Sequence, residues 1–351
     1  MILQQKILRQ IPYLEKGEQN KMKQRLRRII KSHSFPAFIL MLIVYIANIF
    51  LVKGFSGGAS LVSFINLATP LVCLTTGLSV VVIGGGFDVS LGAIVCVVNV
   101  AYVTLADKGY PVVIAALAGI GMALVIGLLN GIMIGHFRLN PLLTTFATTS
   151  VASGLALWIM PTPSGNGNAD FIRFYSSGQI IGIPVSVWFV LVPLFLWLII
   201  YVSPLGTWIY AVGKDEKKAY FSGIPADFVH FITYLYAAFC TACGAIALSG
   251  NIGGGDPKVG LSLSMNAVAA VVIGGISLTG GEGNPIGAIF GALFMYLITY
   301  TVYGVKINAY YQELSTALVM LAGVLLMSVL KKFKFEMKNN SGKGCNNGEN
   351  T

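Results

Sequence analysis

Charge is what this sequence has least of. Asp, Glu, Lys and Arg make up only 10% of its 351 residues, against about 25% in soluble domains, so the polar surface needed to dissolve a body of this size in water is missing. An ordinary globular enzyme is excluded. Histidine is scarce as well: His33, His136 and His230 stand isolated, and no HExxH, GxSxG or GxxxxGK[ST] pattern occurs. GGGFDVS resembles a phosphate loop only superficially, because it lies between apolar runs and lacks the lysine. The chain is therefore expected to be non-catalytic, to hydrolyse no nucleotide alone and to need no cofactor of its own. Five cysteines provide one CxxC, Cys240 and Cys243, inside an apolar run where thiols at i,i+3 read as small packing residues. Neither a metal site nor a disulfide framework is implied.

What the sequence has in their place is apolar length. Hydrophobic residues reach 56% and the mean hydropathy is +0.78. Glycine, at 41 residues, exceeds its usual share of roughly 7%, as closely packed membrane helices require. A bilayer core of about 30 Å takes roughly 17 to 25 apolar residues per helix. Ten runs meet or approach that length: 36–52, 61–83, 89–106, 110–134, 142–160, 185–202, 228–249, 266–280, 285–304 and 312–330. The fold class expected is all-α, a polytopic membrane protein of about ten transmembrane helices, since barrel strands would show short alternating segments. The 35 residues before the first run are polar and basic, unlike a cleavable signal peptide.

The formal net charge of +10 sits at the two ends. Residues 1–35 hold nine Lys/Arg against Glu15 and Glu18, and 331–351 hold five Lys against Glu336 and Glu349. Three segments follow: a basic N-terminal stretch 1–35, a membrane domain 36–330, and a basic, disordered tail 331–351. Anionic lipid and positive-inside anchoring account for the ends, so lipid is an expected partner and nucleic acid is not. With both termini cytoplasmic, 18 of the 23 Lys/Arg fall on the inner side and Lys53, Lys108, Arg173, Lys258 and Lys306 on the outer, as the positive-inside rule asks.

One repeat stands out. Val81-Val82-Ile83-Gly84-Gly85 recurs as Val271-Val272-Ile273-Gly274-Gly275, each copy closing an apolar run and leading into a glycine-rich break with one acid, Asp88 or Glu282. Two pseudo-repeated halves are expected, with helix breaks at Gly84, Gly85 and Gly86 and at Gly280, Gly281 and Gly283. An acid at membrane depth is costly and faces protein or water. Asp88 or Ser90 either caps the helix that follows or meets a polar solute. Asn66, with Thr69-Pro70 beside it, and Asn130, with Asn140-Pro141 beyond, add uncharged hydrogen-bonding groups suited to a polyhydroxy solute or to helix-to-helix bonding. The 203–227 loop is the sizeable charged interior segment, and its Asp215–Phe221 core reads as a short amphipathic helix ended by Gly223 and Pro225. Exposed Tyr220 and Phe221 would make it a knob for another protein.

Over residues 60–330 the chain resembles the ribose-type sugar permeases, the membrane subunits of bacterial ABC importers. Gly84–Ala93, GGGFDVSLGA, is similar to that family's GGxDLSxGA. GLLNGIMIGHFRLNPLLTT from Gly127 is similar to GxxNGxLxxxxxxPxFIxT, and VVIGGISLTGGEGNPIGAIFGA from Val271 to GGxSLxGGxGxxxGxxxGA. Ala211, Gly213, Ala219, Ser222, Gly223 and Ile224 match the ATPase-coupling pattern AxGxNxxAAxxSGI, with Asp215 in place of the usual Asn and Lys218 in place of an Ala. The resemblance implies coupling through Gly206, Gly213, Asp215, Glu216, Ala219, Ser222 and Gly223; a substrate pathway is expected near the polar groups Asn66, Asp88, Ser90, Asn130 and Asn266. Ser264 and Asn266 replace acids often present in the family. It further implies import of a sugar or sugar-like solute by alternating access, with ATP bound by a separate cytoplasmic ATPase. A second permease copy or paralogue and an extracytoplasmic solute-binding protein, docking at the outer loop 161–184, complete the expected assembly in the bacterial cytoplasmic membrane. The alternatives are a nucleoside permease of the same family and an ATP-independent secondary transporter; the latter would want a relay of acids, and only Asp88, Glu282 and Glu313 are available.

Overall fold

The computed structural model describes residues 34–305 and eight helical positions between 310 and 325. In chain order the helices are α1 (Phe35–Leu51), α2 (Gly58–Ile83), α3 (Leu91–Asp107), α4 (Val112–Gly135), α5 (Pro141–Ile159), α6 (Ala169–Ser177), α7 (Val185–Val202), α8 (Pro204–Lys214), α9 (Glu216–Phe221), α10 (Ala226–Ile252), α11 (Leu261–Ile273) and α12 (Pro285–Gly304). A hairpin of two-residue strands, β1 (Gln179–Ile180) and β2 (Ile183–Pro184), joins α6 to α7. Among the described residues six helices, α2, α4, α5, α7, α10 and α12, are long and apolar enough to cross a membrane; α1, α3 and α11 are apolar but shorter. These nine fall on the first nine runs expected from sequence. The tenth run, 312–330, and the two basic ends lie for the most part outside the described residues.

Loops gather at two ends of the bundle. One end, called here the glycine end, holds 84–90, 136–140, 203–225 and 274–284, tied by Gly281 N–H to Ile83 O at 2.8 Å and by Arg138 to Asp227 at 3.5 Å. The opposite end, the hairpin end, is joined by the Ser164–Gly255 bridge and by Asn166 N–H donating to Asp107 Oδ1 at 3.3 Å. Lipid gives no hydrophobic drive for one helix to leave it for another, so close backbone packing must hold such a bundle together. Gly127, Gly131 and Gly135 place a bare stripe on α4 against α10; a Cβ at Gly131 would sit 3.0 Å from the Phe231 Cα. On the other flank of α10, a Cβ at Gly244 would meet Pro70 O of α2 at 2.8 Å. Cys73, Cys240 and Cys243 are buried as free thiols at this α2–α10 contact, acting as small side chains. The helix α2 runs on through Pro70.

The two VVIGG copies have the same backbone. Gly86 N–H reaches Val81 O and Gly85 N–H reaches Val82 O; Ile276 N–H reaches Val271 O and Gly275 N–H reaches Val272 O. The reversal needs positive φ at Gly85 (83°) and Gly275 (87°), a region open to glycine at little cost. Both α2 and α11 run toward the glycine end, so the copies are parallel, not inverted. This termination also corrects one boundary: the run expected at 266–280 is a helix over Leu261–Ile273, because the Gly274-Gly275 turn stops it before the still-apolar Ile276 and Leu278.

Candidate functional site

The segment between α7 and α10 is two helices and not one. Pro204, free of an N–H that a first turn would leave unpaired, opens α8, and Asp215 then separates α8 from α9. Asp215 Oδ1 accepts the Lys218 N–H at 3.0 Å, and Lys218 Nζ lies 2.9 Å from its carboxylate. The Lys218 contact holds the Asp215 carboxyl below the usual range and raises the Lys218 ammonium. The far end of α9 is closed by Ser222 Oγ donating to Lys218 O and by Gly223 at φ 80°. Ala219 is buried against the bundle, whereas Tyr220 and Phe221 stand 61% and 87% exposed. Glu216 reaches toward His230 at 4.0 Å, and the Arg138 guanidinium lies 6.0 Å from the Tyr220 ring centre. Gly206 allows the α7–α8 corner to close on Tyr201.

The C-terminal turn of α8 is inserted between the two breaks. A Cβ on Gly213 would fall on Ile83 O of the first break and 2.7 Å from Gly281 N of the second. Gly280 completes the contact, with its own Cβ position 2.9 Å from Gly85 Cα. Tyr210 on α8 donates to Gly283 O at 2.9 Å, and Tyr234 on α10 holds the first break by accepting Phe87 N–H and donating to Phe87 O at 3.0 Å. Gly84 and Gly86 line the first break; Glu282 O accepts the Ser277 N–H within the second.

Three of the five pathway candidates are brought together. Asp88 Oδ1 accepts both the N–H and the hydroxyl of Ser90, at 2.8 and 2.6 Å; Ser90 Oγ accepts Asn130 Nδ2 at 2.9 Å; Asn130 Oδ1 accepts the Thr148 hydroxyl at 2.6 Å. All three candidates are buried. Among the described residues no cationic side chain pairs with Asp88. Neither Asp88 nor Ser90 caps α3 through its side chain. Ser264 of α11 does the work instead, accepting Gly92 N–H at 2.7 Å and donating to Val89 O at 2.9 Å. The network thus ties α3, α4, α5 and α11 around the first break.

The other two candidates lie elsewhere. Asn66 sits toward the hairpin end, where Nδ2 donates to Ser176 O at 2.9 Å while its backbone carbonyl accepts from Tyr175 Oη and Asn251 Nδ2. It fastens α6 to α2 and α10. Asn266 is half-buried on α11 beside exposed Met265, and its amide makes no hydrogen bond among the described residues. Sequence reasoning passed over Thr148, Tyr210 and Tyr234, and also the hairpin, whose tip carries Ile181 at φ 55° and 86% exposed, followed by Gly182 at φ 73°.

Fold and site together describe a polytopic membrane protein. The family described as the branched-chain amino acid transport system / permease component matches residues 60–329. The ribose import permease protein of Haemophilus influenzae is 25% identical over 305 residues, 85% of this chain and 93% of the relative. That of Bacillus subtilis is 30% identical over 292 residues, 82% and 89% of the two chains. The D-allose transport system permease protein of Escherichia coli is 27% identical over 295 residues, 83% and 89%. The chain belongs to this permease family, in its ribose-type sugar ABC branch. It is a multi-pass membrane subunit of a sugar ABC transporter, of the bacterial inner membrane. No solved structure matches it.

Proposed function

We propose that the chain imports a sugar or sugar-like solute by alternating access, driven by ATP hydrolysed on a separate cytoplasmic subunit. The observation that carries this reading is the pair Tyr220 and Phe221, held outward on a helix whose flanking segment touches both breaks. Large exposed aromatics on a short helix are what a groove on a partner protein accepts. The distribution of Lys and Arg turns the glycine end to the cytoplasm, so both termini are cytoplasmic and α9 meets the ATPase. The hairpin end then faces outward, and α6 with the β1–β2 hairpin receives a solute-binding protein. A second permease, identical or related, completes the path.

The buried network of Asp88, Ser90 and Asn130 acts on that path from behind, by fixing the helices around the first break. Asn266, half-buried and without a hydrogen bond among the described residues, meets the solute hydroxyls. Reconstitution tests the whole reading: proteoliposomes carrying this chain, its ATPase and the solute-binding protein are given ribose, allose, galactose or a nucleoside, with and without internal ATP. ATP-dependent accumulation of a sugar supports it. A nucleoside accumulating alone would move the substrate to the nucleoside branch, and accumulation without ATP or ATPase would replace the ABC reading with a secondary transporter.

A further inference from the structure

The junction of Gly85, Gly213, Gly280 and Gly281 has no counterpart in a simple docking helix. A coupling segment need only reach one moving helix to transmit force, yet the last turn of α8 touches the break of each repeat within one residue. A Cβ on Gly213 would overlap the Ile83 carbonyl on one side and come within 2.7 Å of Gly281 N on the other. The two breaks are also bonded directly to each other, Gly281 N–H to Ile83 O at 2.8 Å. The helices on either side of α9 each hold one break by a tyrosine hydroxyl: Tyr210 on α8 takes the second through Gly283 O, and Tyr234 on α10 takes the first through both polar atoms of the Phe87 backbone. The helices that leave those breaks are α3, enclosed over Leu91–Val103, and α12.

We infer that Gly213 and Tyr210 are positioning residues that lock the coupling segment to both repeats, so that one displacement of α8 moves α3 and α12 together. The inference rests on the coupling reading proposed above and adds to it where the motion is divided. Interfaces packed at backbone contact transmit displacement without slack, and four glycines meeting with no side chain between them give the shortest such contact. Solvent or a side chain at that point would let one repeat lag behind the other.

The test is the number of solute molecules moved per ATP hydrolysed in proteoliposomes holding the full assembly. Gly213→Ala is expected to insert and to bind the ATPase, with hydrolysis retained and the transport ratio reduced at least tenfold. Should that variant fail to insert, Tyr210→Phe carries the test, since it removes one O–H donor and adds no atom; a ratio reduced about two- to fivefold is expected. A merely structural role would lower the amount of assembled complex without altering the ratio per complex. Phe221→Ala serves as the separate check on coupling, by losing ATPase association. A wild-type ratio in Tyr210→Phe, and in Gly213→Ala if it inserts, alongside loss of association in Phe221→Ala overturns the inference and leaves the coupling reading intact. A wild-type ratio in Phe221→Ala as well overturns both.

Discussion

Ser90→Ala should destabilise the bundle more than Asn130→Leu, although the second removes the larger polar group. Asn130 makes two bonds, from its Nδ2 to Ser90 Oγ and from Thr148 Oγ1 to its Oδ1. Both partners have somewhere else to turn: the Ser90 hydroxyl keeps Asp88, and the Thr148 hydroxyl keeps Thr144 O at 3.0 Å. Leucine preserves the volume, so the cost is two interhelical bonds at roughly 0.6 kcal/mol each, about 1 kcal/mol. Ser90→Ala is different. It takes the only hydrogen-bond acceptor that Asn130 Nδ2 has among the described residues, leaving a buried donor unpaired at about 1–3 kcal/mol, and it removes one bond to the Asp88 carboxylate at about 1.5–3 kcal/mol. The expected difference is about 2 kcal/mol or more. The buried thiols of Cys73, Cys96, Cys240 and Cys243 supply the assay, because a thiol-reactive dye labels them only as the helices separate on heating or in denaturing detergent. Equal losses, or a larger loss for Asn130→Leu, would refute the hydrogen-bond assignment.

Asp88→Asn keeps an Oδ1 acceptor for both Ser90 bonds and removes a buried carboxylate that pairs with no cation among the described residues, so stability should hold or rise and uptake should persist; abolished uptake in a stable Asp88→Asn protein would assign the charge itself to the solute. Ile181→Gly relieves a β-branched residue at φ 55°, which costs roughly 1–2 kcal/mol, and should raise the melting temperature while weakening binding of the solute-binding protein; weaker melting would refute the strain. Gly244→Val forces a side chain onto Pro70 O and Cys73 and should cost about 1–3 kcal/mol, measured with the same thiol assay. The lowered carboxyl of Asp215 adds to the stability of α9 above the unfolded value of about 3.9 and loses that contribution as pH falls through its lower folded value. ATPase association should accordingly be flat from pH 6 to 8, and the Asp215→Ala protein should bind more weakly across that range.

Much of the fold was legible because hydropathy and chain punctuation agree. Gly57 before α2, Pro141 and Pro285 at helix starts and Gly84 and Gly274 at helix ends mark where apolar runs begin and stop. The VVIGG repeat was legible as text and proved to be one backbone motif used twice. The site was legible only in part, since its cap and its hydrogen-bond network depend on partners distant in sequence. The α3 start is capped by Ser264, 172 residues from Gly92, and no local pattern announces that. Asn66 and Asn130 look alike as buried amides in apolar runs, yet one fastens an amphipathic helix at the hairpin end and the other joins the network at the first break. The hairpin escaped notice because isoleucine is among the residues least suited to the left-handed turn that Ile181 occupies.

A photo-crosslinking amino acid at Phe221, with a second protein carrying it at Ile181, tests the transport reading most directly in whole cells expressing the complete assembly. Phe221 is expected to capture the ATPase subunit and Ile181 the solute-binding protein. Capture of the solute-binding protein from Phe221, or of the ATPase from Ile181, would contradict the orientation and the coupling role together.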